Sequence, residues 1–233
     1  MTDETLPSLA LLRRQRSHVL FILSNAVSGR DAAFLEWYRG IYHATVSGLA
    51  SVLSLQQFER HEIDITHGRF VPLQFRYLSM CELALDGAEA ASALIERISE
   101  LHRDQAAAEA PATWLYYPVS EKVGRSPAAT PSIRVLAFAN AVPGQEAEFR
   151  EWYATRHIRH ALTIPALVSG QCFERTQLQN PGAVEARFST IAVYEQEGTA
   201  EDFLAGHAAV PKGALRFPML DLTRFSEAAF RPV

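Results

Sequence analysis

The chain has 233 residues, 48% of them hydrophobic and 21% charged, which excludes disordered, collagen-like and coiled-coil architectures and leaves ample apolar material for a core. Its 22 basic and 26 acidic residues give a formal net charge of −4. A weakly acidic surface argues against nucleic acid as a partner, because phosphate neutralisation needs a basic face. No apolar run approaches the length of a membrane span, so no membrane partner is expected. Met1-Thr2-Asp3-Glu4 is acidic and Arg13-Arg14-Gln15-Arg16 follows a short apolar stretch, which does not read as a signal peptide. Cys81 and Cys172, the two cysteines, both fall in strand-like runs and read as small buried hydrophobes, consistent with a reducing, cytoplasmic setting. The eight histidines show no spacing with Cys or carboxylates that marks a metal site, so none is expected.

Val19 to Leu23 is the first short β-branched and aromatic run, ending at a glycine turn. Asp31 to about Thr45 reads as a helix, acidic at its start. Strands follow around Leu53 to His61 and Gln74 to Leu83, then a helix over Gly87 to Arg103 and a strand near Thr113 to Val119. Lys122 to Pro131, with one Gly and two Pro, is the linker. The series then repeats: strand Ile133 to Phe138, helix Glu146 to about Ala161, strands Val168 to Thr176 and Arg187 to Glu195, a shorter helix from Thr199 to about Ala208 interrupted by Pro211, and a strand near Met219 to Phe225.

A shift of 115 residues lays Asn25-Ala26-Val27-Ser28-Gly29 over Asn140-Ala141-Val142-Pro143-Gly144, and Phe34-Leu35-Glu36-Trp37-Tyr38 over Phe149-Arg150-Glu151-Trp152-Tyr153. Between Ser17 and Arg60, 15 of 44 positions are identical without a gap, which chance does not produce and duplication does. Residues 17–121 and 132–228 are therefore read as two βαββαβ units, with 1–16 an N-terminal extension and 122–131 the linker. That order is the ferredoxin-like split βαβ unit. Two such sheets can bury their open faces against each other, so the expected fold is α+β: two ferredoxin-like repeats forming an intrachain pseudo-dimeric α+β barrel, helices outside.

The segment Phe149-Arg150-Glu151-Trp152-Tyr153-Ala154-Thr155-Arg156-His157-Ile158, continuing through Leu162 to Pro165, resembles the EthD-type proteins of the dimeric α+β-barrel superfamily. Their first helix carries a Trp-Tyr pair, a His four residues after that Tyr, and a Leu then Pro before strand two. The match covers the first half of each repeat well and the second half poorly. The resemblance implies the fold, a barrel made here by fusion where relatives use two chains, and a wide range of activities. Relatives include cofactor-free isomerases, cyclases, dehydratases and quinone-forming monooxygenases, and some haem enzymes.

On an ideal helix with Phe149 at the origin, Tyr153, Arg156 and His160 fall within roughly 40° of it, and Trp152 and His157 flank that face at about 60° and 80°. The first-half stripe is Phe34, Trp37, Tyr38, Ile41 and Thr45, with Tyr42 in the place of His157 and His43 pointing further round. The repeats keep their packing residues and diverge in chemistry. His157 is the candidate general base or acid, since imidazole titrates near neutrality and the resembled motif carries a histidine there. His160 and Arg156 are candidates to hold an anionic intermediate, and Tyr42 to donate a proton if the barrel brings the halves together. A helix-end histidine also serves as a dipole or surface group. Trp37, Trp152 and Tyr153 line either core or an aromatic substrate. Asn25 and Asn140 act as turn formers or reach a ligand from the strand end, as His43 can from its helix. Glu59-Arg60 and Glu174-Arg175 suit cross-strand ion pairs, and one of Tyr116 and Tyr117 should face inward.

No phosphate loop, dinucleotide fingerprint or nucleophile elbow is present. The leading expectation is a cofactor-independent lyase, dehydratase or isomerase, using His-based proton transfer on a small aromatic or cyclic metabolite in an apolar pocket. The alternatives are a non-catalytic small-molecule binding or accessory protein and a haem-dependent or cofactor-free monooxygenase. The expected partner is a hydrophobic or aromatic small molecule, with a homodimer possible.

Overall fold

The computed structural model describes residues 15–128, 132–179, 187–210 and 218–233. Arg13-Arg14, the end of the linker and Pro211 lie outside the described residues. The strands are β1 (His18–Ser24), β2 (Val52–Arg60), β3 (Tyr77–Leu83), β4 (Ala112–Pro118), β5 (Val123–Gly124), β6 (Ile133–Ala139), β7 (Leu167–Arg175), β8 (Thr190–Gln196) and β9 (Ser226–Pro232). The helices are α1 (Asp31–Trp37), α2 (His43–Ser47), α3 (Ala88–Arg103), α4 (Glu146–Trp152), α5 (Ile158–Ala161) and α6 (Ala200–Ala209).

The strands run β4-β1-β3-β2-β9-β6-β8-β7, all antiparallel, and β7 pairs back onto β4. The expectation of two ferredoxin-like units forming a pseudo-dimeric α+β barrel is corrected by this closure. There is one closed eight-stranded antiparallel barrel with few helices, not two sheets stacked face to face. Two separate sheets would leave four edges with unpaired backbone groups, whereas curling one sheet onto itself removes them. The seams are short: Phe58, Glu59 and Arg60 face Pro232, Arg231 and Phe230 at one, and Tyr116, Tyr117 and Pro118 face Arg175, Glu174 and Phe173 at the other.

Alternation sorts each strand between two layers. Phe21, Phe58, Trp114, Leu136, Phe138, Phe173 and Phe230 point into the barrel and fill it. Leu20, Ile22, Tyr77 and Cys81 point outward under α1, α2 and α3, while Val135, Ala137, Ala192 and Tyr194 point outward under α4, α5 and α6. Tyr116 is the inward member of its pair and donates to the Phe188 carbonyl at 2.7 Å, while Tyr117 lies at the surface. Glu59 pairs with Arg76 at 2.7 Å and Arg231 at 3.1 Å, and Glu174 with Arg150 at 2.6 Å.

One end of the interior is closed by charge. Arg16 bonds Glu82 of its own half and Gln171 of the other, both at 2.7 Å. Arg134 likewise bonds Glu195 and Gln56, both at 2.9 Å. With Lys122 at 2.5 Å from Glu195, these groups frame a polar cavity of about 270 Å³.

Four expected elements differ. β3 and β8 start three residues later than Gln74 and Arg187. The linker contributes a strand, since Val123 and Gly124 pair with Gly170 and Ser169. The last strand is not Met219 to Phe225, which ends in a 3₁₀ turn at Leu222–Arg224; β9 begins at Ser226 and runs to Pro232, past the boundary at 228. Asp221 accepts from the Thr223 amide at 3.0 Å and fixes that turn.

Candidate functional site

Between α1 and α2, and again between α4 and α5, the helix widens into a single π turn, Tyr38–Tyr42 and Tyr153–His157. One residue is thereby inserted, so everything after it rotates by about 100° relative to an unbroken helix. The wider turn leaves a carbonyl without its usual partner, and strand two supplies one. Gln57 donates to the Tyr38 carbonyl at 2.7 Å, and Cys172 at the matching position approaches the Tyr153 carbonyl at 3.4 Å.

The rotation rearranges the expected stripe. Arg156 and His160, placed at its centre by ideal geometry, are exposed, and His157 takes the inner position. In the first half Ile41 is 67% exposed, while Tyr42 and Val46 are buried. His157 stacks flat on Tyr153, with centroids 4.7 Å apart and planes 10° apart, and leans on Trp152 at 4.8 Å. Its Nδ1 is enclosed without a hydrogen-bond partner among the described residues. Burial, followed by the nearby His160, lowers its pKa to about 3, so the ring is neutral at pH 7 and a weak base.

Tyr42 sits in the other helix layer, against Trp37, Tyr38 and His102, so the barrel does not bring it to His157. Its neighbour His43 bonds Gln57 at 2.7 Å. Asn25 and Asn140 are braces for the start of the following strands. Asn25 accepts from the Arg76 amide at 2.9 Å and donates to the Gln74 carbonyl at 3.3 Å. Asn140 accepts from the Ser189 amide at 3.0 Å and donates to the Arg224 carbonyl at 3.0 Å.

Beneath α4 and α5 the sheet adds groups that sequence reasoning missed. Glu227 of β9 lies opposite Ala137 of β6, on the helix-facing side. It is half-buried and has no hydrogen bond or ion pair among the described residues. Burial raises its pKa to about 7, with Arg69 pulling the other way. Its charge is felt by the hydroxyls of Tyr153 and Tyr194, both already pushed well above the usual phenol range by burial. Tyr153 donates to the Ala137 carbonyl at 3.2 Å, whereas the Tyr194 hydroxyl is buried and has no hydrogen-bond partner among the described residues.

Arg69 comes from the first half. The segment between β2 and β3 crosses the seam, places Ile65 in the second half's core and sets Phe70 edge-on against Phe225, with centroids 4.6 Å apart. Asp64 stiffens it by accepting from the amides of Thr66 at 2.8 Å and Gly68 at 2.7 Å. His67 between them takes a left-handed φ of 53°, which a non-glycine residue adopts only when its surroundings enforce it. Arg69 then donates to the Thr66 carbonyl at 2.8 Å. The fold thus gathers a protonatable carboxyl, two tyrosines, a neutral imidazole and a guanidinium in one layer. An unpaired carboxyl and hydroxyl there cost stability, which marks the place as a functional candidate.

No protein-family model and no curated protein matches the chain. By structure it is similar to a candidate monooxygenase from Fusobacterium nucleatum, with a TM-score of 0.58 and 9% identity over 93% of this chain and 92% of that one. It is similar to an anthrone oxidase-like protein, with a TM-score of 0.56 and 9% identity over 94% and 92%. A chlorite dismutase from Candidatus Nitrospira defluvii, in complex with cyanide, gives a TM-score of 0.51 and 13% identity over 96% and 94%. At these identities the likeness concerns the fold. The closed barrel with few helices resembles the folds of the chlorite dismutase-like structures. Among the described residues no helix is long and apolar enough to cross a membrane.

A haem needs a slot of roughly 300 Å³ or more beside an available imidazole. Among the described residues, the cavities of about 170 and 270 Å³ at the two ends of the barrel are lined by no histidine, and both neighbouring rings cover His157. These residues do not fit a haem.

Proposed function

We propose that this chain is an enzyme of the oxygenase kind. In this reading it removes a proton from a small aromatic or phenolic compound in the helix–sheet layer of its second half, and the resulting anion reacts with dioxygen. The observation that carries the reading is Glu227, a half-buried carboxyl with no hydrogen bond or ion pair among the described residues, its pKa raised by burial to about 7 where its charge is felt by the Tyr153 and Tyr194 hydroxyls. A carboxyl with that pKa is near half-ionised at neutrality and can both take and return a proton.

Proton abstraction is common to lyase, isomerase and oxygenase chemistry. The fold likeness to a candidate monooxygenase and an anthrone oxidase-like protein supports the oxygenase branch. For a ring-flanked CH₂ group the overall change is R₂CH₂ + O₂ → R₂C=O + H₂O. Glu227 takes the first proton, Tyr194 donates to the developing oxyanion, and the substrate anion itself supplies the electrons. Trp152, Tyr153 and His157 form the aromatic wall that keeps water out. The Trp152-Tyr153 pair and His157 stand in this same layer, which supports the EthD-like relation as part of the proposal.

Oxygen uptake with anthrone-type and hydroquinone-type compounds tests the reading. Glu227→Gln lowers turnover by about 100-fold or more while the circular dichroism spectrum stays native. Wild-type turnover in that variant overturns the assignment. Saturable binding of the same compounds by the wild type, without oxygen uptake, assigns a binding protein instead.

A further inference from the structure

The barrel mouth near the starts of β3 and β8 holds a second cavity, of about 170 Å³, on the other side of the sheet from Glu227. Ser226 lines it, and the next residue along β9 faces the helices. Leu73, Phe75, Trp114, Phe188 and Phe225 supply its walls. Trp114 meets Phe75 edge-on, with centroids 6.2 Å apart, and Phe188 at 6.0 Å. An apolar cavity of about 150 Å³ is enough to take up a benzene ring.

Two features make it more than an apolar void. Ser226 is 3% exposed and lines the cavity, and its hydroxyl has no hydrogen-bond partner among the described residues. At the rim, Arg224 donates to the Arg187 carbonyl at 3.1 Å, which brings two guanidinium-bearing residues to one side. Neither forms an ion pair with a carboxylate among the described residues. Asn140 fixes both rim segments, through the Ser189 amide and the Arg224 carbonyl, and Asn25 holds the facing segment at Gln74 and Arg76.

We propose that this mouth is a binding site for a hydroxylated single-ring aromatic carboxylate. The ring lies among Phe75, Trp114 and Phe188, the ring hydroxyl satisfies Ser226, and the carboxylate meets Arg187 and Arg224, whose planar forks suit two oxygens. The site is independent of the chemistry assigned to Glu227.

Isothermal titration of the full chain with 4-hydroxybenzoate, benzoate and 4-methylphenol tests it. The wild type binds 4-hydroxybenzoate saturably at one site. The double variant Arg187→Gln/Arg224→Gln weakens both carboxylates by about tenfold or more and leaves 4-methylphenol unchanged. Ser226→Ala weakens 4-hydroxybenzoate several-fold and spares benzoate, and Glu227→Gln alters none of the three. Absence of saturable binding by the folded wild type overturns the proposal. So does binding that ignores both the arginine pair and Ser226, or that is lost in Glu227→Gln, which would put the ligand on the helix side.

Discussion

Over the first half, Tyr38 is stacked between Phe34 and Tyr42, Tyr77 closes the space beside them, and the Tyr38 hydroxyl meets Ser79 at 2.8 Å. Over the second half the registers of β6, β8 and β9 put Ala137 where Ile22 stands, Ala192 for Ser79, Thr190 for Tyr77 and His157 for Tyr42. Bulk has been removed around the centre of the layer. In exchange Tyr194 replaces Cys81 and Glu227 replaces Thr113. The two helices keep the same Phe and Trp leading into a π turn that starts at the same Tyr, so what differs is the sheet beneath them. One layer is built as core. The other has smaller residues at these positions and a carboxyl raised to about 7 where the first has Thr113, the exchange expected where function outweighs stability.

The largest effect should come from removing bulk where it still serves as core. Tyr77→Thr, which imports the second half's residue, leaves a cavity among Phe34 and Tyr38 and should cost about 3 kcal/mol in urea unfolding. Thr190→Ala, the matching truncation in the second half, should cost about 1 kcal/mol or less. Equal losses at the two positions would break the contrast between a packed and an opened layer.

Much of that contrast was legible in the sequence, because a duplicated chain carries its own control. The identities from Ser17 to Arg60 located strands one and two and the first helix in both halves, and the replacement of Tyr42 by His157 showed where they part. The π turn was not legible, since one extra residue in a turn changes neither composition nor the run of helix formers. It turned Arg156 and His160 outward and His157 inward, reversing the order that ideal periodicity assigned. Barrel closure was equally hidden, because two short seams join residues more than fifty positions apart. Glu227 and Arg69 escaped for the same reason. A strand expected at Met219 to Phe225 leaves Glu227 outside the sheet, and nothing local says that a segment of the first half covers the second.

A smaller effect follows from protonation. The raised pKa of Glu227 means that the folded protein binds a proton more tightly than the unfolded chain does. This contribution is fully present below the ordinary carboxylate value and is lost as pH rises through about 7. Glu227→Gln should therefore match the wild type near pH 4 and exceed it above pH 7.5. The gain should be about 1–2 kcal/mol, reduced from the full linkage value because the group is only half-buried. His157 and His102, lowered to about 3 and about 4 by burial, work in the opposite sense. Both remain neutral in the folded state, so their contribution disappears as pH falls below about 6.5 in wild type and variant alike. Stability curves that run parallel from pH 4 to 8 would remove Glu227 from the list of perturbed groups, and with it the difference in titration between the halves.

The smallest effect separates the two asparagines, which occupy matching positions and accept from matching amides, Arg76 and Ser189, but donate to different segments, Gln74 and Arg224. Asn140 is buried, so truncating it to alanine strands the Ser189 amide and the Arg224 carbonyl away from water, at a cost of about 1–2 kcal/mol. Asn25 stands closer to solvent, where water can replace the lost partners, and Asn25→Ala should cost about 0.5 kcal/mol. Thermal unfolding of the two variants, compared with 4-hydroxybenzoate affinity, distinguishes bracing from general stability. If Asn140 braces the rim that carries Arg224, its loss weakens the carboxylate more than 4-methylphenol, whose affinity depends on the walls. A uniform loss for both ligands would mean that the asparagine supports the fold of the second half and leaves the guanidinium groups where they were.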